Sequence, residues 1–214
     1  MPEGRQIPHQ GEAIVLRTWP FHEADLLVSL FTRDQGRIKG IARHAMKSRK
    51  RFGGALEPAT HVRAHYTERP RQDLVRLDQF EILWSPLTAP VDYLRAAGLE
   101  LVVEVLEEAM PDQATDDNIF RLAITTLTAI QSGNVHLPIT YFCLWMNRLM
   151  GWMPALDHCT VCGLDLRGET VYWSPTADGV TCHDDRRAAF SGSQASSRAL
   201  TAASVSESHR IART

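Results

Sequence analysis

Four cysteines are the residues best suited to chemistry, and their spacing separates one of them from the other three. Cys159 and Cys162 form a CxxC followed by Gly163, a knuckle that puts two thiolates on one tight turn, and Cys182 follows twenty residues later. Zinc takes four such ligands at tetrahedral geometry, and in a chain expected to be cytosolic such a cluster reads as a metal site before a disulfide. The second knuckle reads Cys182-His183-Asp184-Asp185, so Asp185 stands where a second CxxC would place its cysteine. His183 is the better zinc ligand by type but is adjacent to Cys182, and His158 is a third option. The candidate cofactor is one structural zinc on Cys159, Cys162 and Cys182, with Asp185 as the fourth ligand by spacing and the two histidines left open. The bland alternative is a ribbon held by packing alone. Cys143 stands alone in an apolar helical run and reads as a packing residue.

A second constellation is basic. Between Arg33 and Arg51 there are eight Lys and Arg residues and one acid, Asp34, and all three lysines of the chain lie in this stretch. Alternation over residues 36–43 places Arg37, Lys39 and Arg43 on one strand face. Lys47, Arg49, Lys50 and Arg51 follow in a loop as a mobile arm. Arg forks and Lys point charges neutralise phosphates. No helix-turn-helix signature and no aromatic RRM box is present, so the expected ligand is a nucleic-acid backbone, bound without sequence preference and with strong salt dependence. A solubilising loop is the bland alternative. Phe52 closes the arm and reads as a loop anchor before a base-stacking ring. The net charge of −2 argues against a polyanion ligand only as an average. Residues 1–90 hold 14 basic and 10 acidic residues, net +4, and residues 91–214 hold 9 and 15, net −6.

Catalytic signatures are missing: there is no Walker loop, no GxSxG elbow and no HExxH. A catalytic zinc would need a nearby base such as Glu169 or Asp178, and the spacing supports neither, so the chain is expected not to be an enzyme. No window approaches 18 consecutive apolar residues, and residues 1–6 carry no apolar core of a secretory signal. A cytoplasmic address without membrane contact is expected.

These groups need elements to position them. Short runs rich in Val, Ile, Leu, Phe and Trp at Glu12–Trp19, Asp25–Thr32, Gly36–Arg43, His61–Tyr66 and Leu74–Trp84 read as five strands, broken by turn signals such as Asp34-Gln35-Gly36 and Gly53-Gly54. Five strands in a basic segment fit an OB-type β-barrel, with an SH3-like barrel or small sandwich as alternatives. After Pro86 the period becomes helical. Leu94, Ala97, Leu101, Val105 and Ala109 form an apolar stripe from Pro90 to about Met110, and Glu100, Glu104, Glu107 and Glu108 read as a solvated face. Asp116 and Asp117 open a second helix, with Ile119, Leu122, Ala123, Leu127 and Ile130 inward. A third, from Pro138 to Met150, is apolar nearly all round and is expected to be buried in a bundle. The fold class is thus α+β and multidomain. Its parts are a barrel at 1–84, a helical domain at 85–157, a zinc-finger-like segment at 158–187 and a flexible Ser/Ala-rich tail at 188–214.

In this order the motifs resemble a known family. The runs EAIVLR from Glu12, EADLLVSLFT from Glu23 and GRI from Gly36 are similar to the opening of the bacterial recombination-mediator family RecO. So is the loop ending RFGGALEP at Pro58, and so are GWMP from Gly151, CTVCG from Cys159, and YWSP to GVTC ending at Cys182. The resemblance spans residues 11–185. It implies an N-terminal OB barrel, a helical domain and an inserted zinc finger. It also implies DNA repair by recombination: binding of single- and double-stranded DNA, strand annealing, and loading of the RecA recombinase onto strands coated by single-stranded-DNA-binding protein. The implied partners are RecR and the C-terminal tail of that coating protein, and the implied place is the nucleoid. Carried over by position, the DNA contacts fall on Arg37, Lys39, Arg43, Lys47, Arg49, Lys50 and Arg51. The zinc ligands fall on Cys159, Cys162 and Cys182, with the fourth on Asp185. A protein-interaction scaffold that binds an acidic peptide tail is the competing function.

Overall fold

A computed structural model of the chain describes residues 6–48, 50–68, 72–90, 92–173 and 179–186, and the backbone of 198–200. The strand-forming runs give β1 (Ile7–Pro20), β2 (Leu26–Thr32), β3 (Gly36–Ala42), β4 (His61–Glu68) and β5 (Val75–Trp84). They close into a barrel in the order β1-β2-β3-β5-β4. Closure depends on the length of β1. Its first half pairs with β4 from Ile7 to Ile14, and its second half pairs with β2 from Ala13 to Pro20. An irregularity between Val15 and Arg17 bends it from one neighbour to the other. The start of β1 lies five residues before the expected strand. Residues 7–11 carry no apolar alternation and are held by backbone pairing to β4.

The barrel interior holds Val15, Val28, Leu30, Val62, Leu77 and Phe80. Ile14, Leu16 and Phe31 have the opposite parity and are equally inaccessible. Phe31 meets Phe120 of a helix, ring centroids 5.9 Å apart. Both faces of β1 and β2 are therefore buried, which is why these strands read as continuous apolar runs. Each such side chain contributes about 1.5–3 kcal/mol.

Three helices follow: α1 (Tyr93–Ala109), α2 (Asp117–Gln131) and α3 (His136–Leu149). Asp92 caps α1 through Arg95 N–H, and Asp116 caps α2 through the N–H groups of Asn118 and Ile119. The expected inward residues of α2 are all buried, together with Phe120 and Thr126. The face of α1 differs from expectation. Leu94 and Ala97 are exposed, and the buried stripe is Leu99, Val102, Val103, Leu106 and Met110. Glu107 lies within that stripe at 5% exposure and is not solvated. Two apolar stripes lie on this helix, and the buried one contains a charge whose partners come from the barrel. α3 is also less enclosed than its composition suggests: Phe142 and Met146 are buried, Leu144, Trp145 and Leu149 are half-buried, and Leu137 is exposed.

The chain divides into two compact units, Met1–Phe142 and Cys143–Thr214. The second contains β6 (Val171–Trp173), β7 (Val180–Thr181) and β8 (Arg198–Leu200) in the order β7-β6-β8. β8 lies within the segment expected to be a flexible tail. A segment poor in large apolar residues can still add a strand, because backbone groups make the ladder to β6. The rest of the segment 188–214 lies outside the described residues. Among the described residues no helix is long and apolar enough to cross a membrane.

Candidate nucleic-acid interface and metal cluster

The basic face of β3 is occupied by acids from α1. β3 alternates as expected, with Arg37 and Lys39 on the outer side. Arg37 points at α1: its guanidinium donates to the Glu107 carbonyl, lies 3.5 Å from the Glu107 carboxylate and pairs with Asp112 at 2.8 Å. Lys39 Nζ lies 3.9 Å from the same Glu107 carboxylate. Ser29 Oγ donates to Glu107 at 2.6 Å, so the carboxylate is satisfied from two strands. The contact continues along the backbone, where Gln113 N–H donates to Arg37 O at 3.0 Å. Gly36, at φ 67°, lies so close to the Ala114 backbone that no Cβ fits. Arg37 and Lys39 also line a cleft of about 550 Å³ with Asp34, Glu68, Asp73 and Asp112, where carboxylates outnumber cations.

The loop after β3 is built differently. His44 adopts φ 52° and its N–H donates to Asp25 Oδ1 at 2.7 Å, and a 3-10 turn follows at Ala45–Lys47. Arg51 is spent on the loop itself: Nη2 donates to Arg43 O at 2.6 Å, Nε donates to Ser48 Oγ at 3.1 Å, and the guanidinium lies over the Phe52 ring. Arg51 O accepts Phe80 N–H at 2.9 Å, and Phe52 enters the barrel core edge-on to Phe80. The loop is therefore anchored at its base, and Phe52 is an anchor. Arg43, Lys47 and Lys50 are exposed, and Arg49 lies outside the described residues.

Ion pairing sorts the cations of the barrel. Arg17 faces Glu104 and Glu108, Arg33 pairs with Asp117, Arg63 with Glu81 and Arg76 with Asp78. Arg37 and Lys39 share Glu107. Among the described residues of the barrel, the cations without an acidic partner are Arg43, Lys47, Lys50 and Arg51, all in one loop.

In the second unit the three spaced cysteines meet. The ligand atoms of Cys159, Cys162, Cys182 and Asp185 all lie within 4.8 Å of one another. Gly163, at φ 75°, turns the first knuckle, and its N–H donates to Cys159 O. Cys182 N–H points to Cys159 Sγ and Asp185 N–H to Cys182 Sγ, each at 3.4 Å. Val171, Val180 and Leu166 pack beneath. The open fourth position falls to Asp185: His183 turns to Asp184 and His158 to Asp157. The thiols of Cys159 and Cys182 donate to Asp185 Oδ2 at 3.3 and 3.2 Å. Hydrogen bonds from Cys162, Cys182 and Cys159 hold the Asp185 carboxyl below its usual value, and the Cys162 thiol beside it is pushed up to about 12. Burial opposes ionisation of Cys159, yet the N–H groups of Cys162, Cys182 and Val161 outweigh it and hold this thiol below its usual value. Four acids on two backbone-braced turns, three of them thiols, fit a divalent cation that accepts sulfur and oxygen.

The family model described as recombination protein O N terminal matches residues 7–86, and that described as recombination protein O C terminal matches residues 90–211. A DNA repair protein RecO of Koribacter versatilis is 51% identical over 191 residues, which cover 89% of this chain and 78% of that protein. The chain belongs to the RecO family. RecO proteins of Syntrophobacter fumaroxidans and Syntrophotalea carbinolica are 33% and 32% identical, each over 81% of this chain and 69% and 68% of their own lengths. The N-terminal RecO model spans all five barrel strands, and the C-terminal one spans the three helices and the cysteine cluster. Sequence reasoning missed the junction between the RecO barrel and its first helix. The available signals were Ser29, a lone hydroxyl in the run Leu26–Phe31, and Glu107, an acid inside an apolar stripe.

Proposed function

We propose that this RecO-family chain is a non-enzymatic recombination mediator. It binds single- and double-stranded DNA through the loop after β3, lowers repulsion between complementary strands so that they anneal, and helps load RecA onto strands coated by single-stranded-DNA-binding protein. RecR and the C-terminal tail of the coating protein are its partners, in the cytoplasm at the nucleoid. One observation carries the DNA reading: Arg43, Lys47 and Lys50 are exposed cations without acidic partners and share a single loop. Arg37 and Lys39, engaged by Glu107, act from beneath as supports, and Arg51 holds the loop's shape. The closed order β1-β2-β3-β5-β4 favours an OB-type barrel, a frequent carrier of nucleic-acid sites.

In the second unit, Cys159, Cys162, Cys182 and Asp185 would hold one structural zinc. When bound, zinc supplies a cross-link between two turns that the small core beneath them does not. The proposed division is a barrel at 1–84, helices at 85–157 and a finger at 158–187.

The test is a salt titration of single-stranded DNA binding. Neutralising phosphates gives a steep fall of affinity with salt, of slope about −0.7 per contact on single strands. Replacing Arg43, Lys47 and Lys50 together with Ala should weaken binding strongly and flatten the slope by roughly two. Unchanged affinity in that variant rejects the loop as the DNA contact.

A further inference from the structure

The loop that carries the unpaired cations also carries apolar surface. Met46 is 63% exposed in the middle of the 3-10 turn, and the loop between β1 and β2 exposes Phe21 at 40% beside an exposed His22. The two loops are joined. Met46 N–H donates to Ala24 O at 3.2 Å and His44 N–H to Asp25 Oδ1 at 2.7 Å. Phe21 N–H donates to Asp25 O at 3.1 Å, which closes its own loop, and the His22 ring lies edge-on to Phe21 at 4.4 Å. Singly exposed apolar residues are ordinary on any surface. These three differ by position: they sit on two hydrogen-bonded loops, one of which holds Arg43, Lys47 and Lys50.

Phosphate contacts do not distinguish paired from unpaired DNA, because both present the same backbone. Base faces do: a duplex stacks them inside, whereas a single strand offers them to any flat or soft apolar side chain. A ring and a thioether beside partnerless cations match a single strand in both respects, with phosphates on the cations and a base on the ring. We propose that Phe21, with His22 and Met46, forms a stacking surface for unpaired nucleobases and gives the protein preference for single over double strands. This rests on the DNA-binding reading above. It adds a division of labour: the cations hold either form, and Phe21 and Met46 select the open one.

Fluorescence anisotropy with labelled oligo-dT and a duplex of equal length tests it on the full chain. Replacing Phe21 and Met46 together with Ala is expected to lower single-strand affinity roughly tenfold or more. Duplex affinity and the slope with salt are expected to be unchanged. Phe21→Trp, which keeps a ring, is expected to bind oligo-dT at least as tightly as the parent. Unchanged oligo-dT affinity in the double variant overturns the proposal, as does an equal loss on both substrates or a loss in Phe21→Trp matching that of the double variant. Failure of the DNA-binding reading looks different: the parent chain itself then binds neither substrate.

Discussion

Glu107 shows how one carboxylate can tie two elements together. It accepts from Ser29, faces Arg37 and Lys39, and is nearly inaccessible. Glu107→Ala leaves the buried Ser29 hydroxyl without its acceptor and leaves Arg37 with Asp112 as its acidic partner, so it is expected to lower stability by about 1–3 kcal/mol in denaturant unfolding. Asp185 would be the weak member of the proposed zinc site, because a carboxylate holds zinc less firmly than a thiolate. Asp185→Ala should speed metal release to a chelator by roughly tenfold or more, and Asp185→Cys should slow it. His61 offers a pH test. Burial lowers its pKa below 6.5, against the opposing pull of Glu12, whose Oε2 lies 3.2 Å away. The unfolded chain takes up the proton first, so stability is lost as pH falls through 6.5 toward the folded value. His61→Phe should flatten the loss of melting temperature as pH falls below 6.5.

Among the elements, the loop after β3 is anchored by one ring. Phe52→Ala would leave a cavity beside Phe80 and is expected to cost about 3–5 kcal/mol, read by thermal melting, and to loosen the exposed cations. The anchoring role of Phe52 was legible in the sequence, but the fixing of Arg51 was not, since it rests on bonds to Ser48 and the Arg43 carbonyl that residue type does not announce. The strands were legible because turn residues bound runs that are continuously apolar where both faces are buried, as in β1 and β2, and alternating in β3. The buried face of α1 was not: Leu94–Ala109 and Leu99–Met110 are both apolar at helical spacing, and Glu107, one of four acids at wet-side spacing, belongs to the dry side. Asp185 was legible by spacing alone, and the structure brings it to the three cysteines while His158 and His183 turn to neighbouring acids.

For the molecule as a whole, charge matters by its pairing more than by its sum. A chain of net −2 still offers a cationic contact, because among the described residues of the barrel acids pair with Arg17, Arg33, Arg37, Lys39, Arg63 and Arg76 and leave the cations of one loop bare. Reversing Glu107 or Asp112 would not extend that contact without loosening α1 from the barrel.

The shared strand β1 has a further consequence in time. Its first half needs β4, which ends at Glu68, and β4 needs β5, which ends at Trp84. During synthesis the earliest residues must wait for almost the whole barrel to emerge before their ladder is complete. Such long-range closure is slow, and until it happens β1 presents an open edge to other chains. Nascent chains stalled before Thr60 should therefore be caught by holdase chaperones, and those stalled well beyond Trp84 should be released.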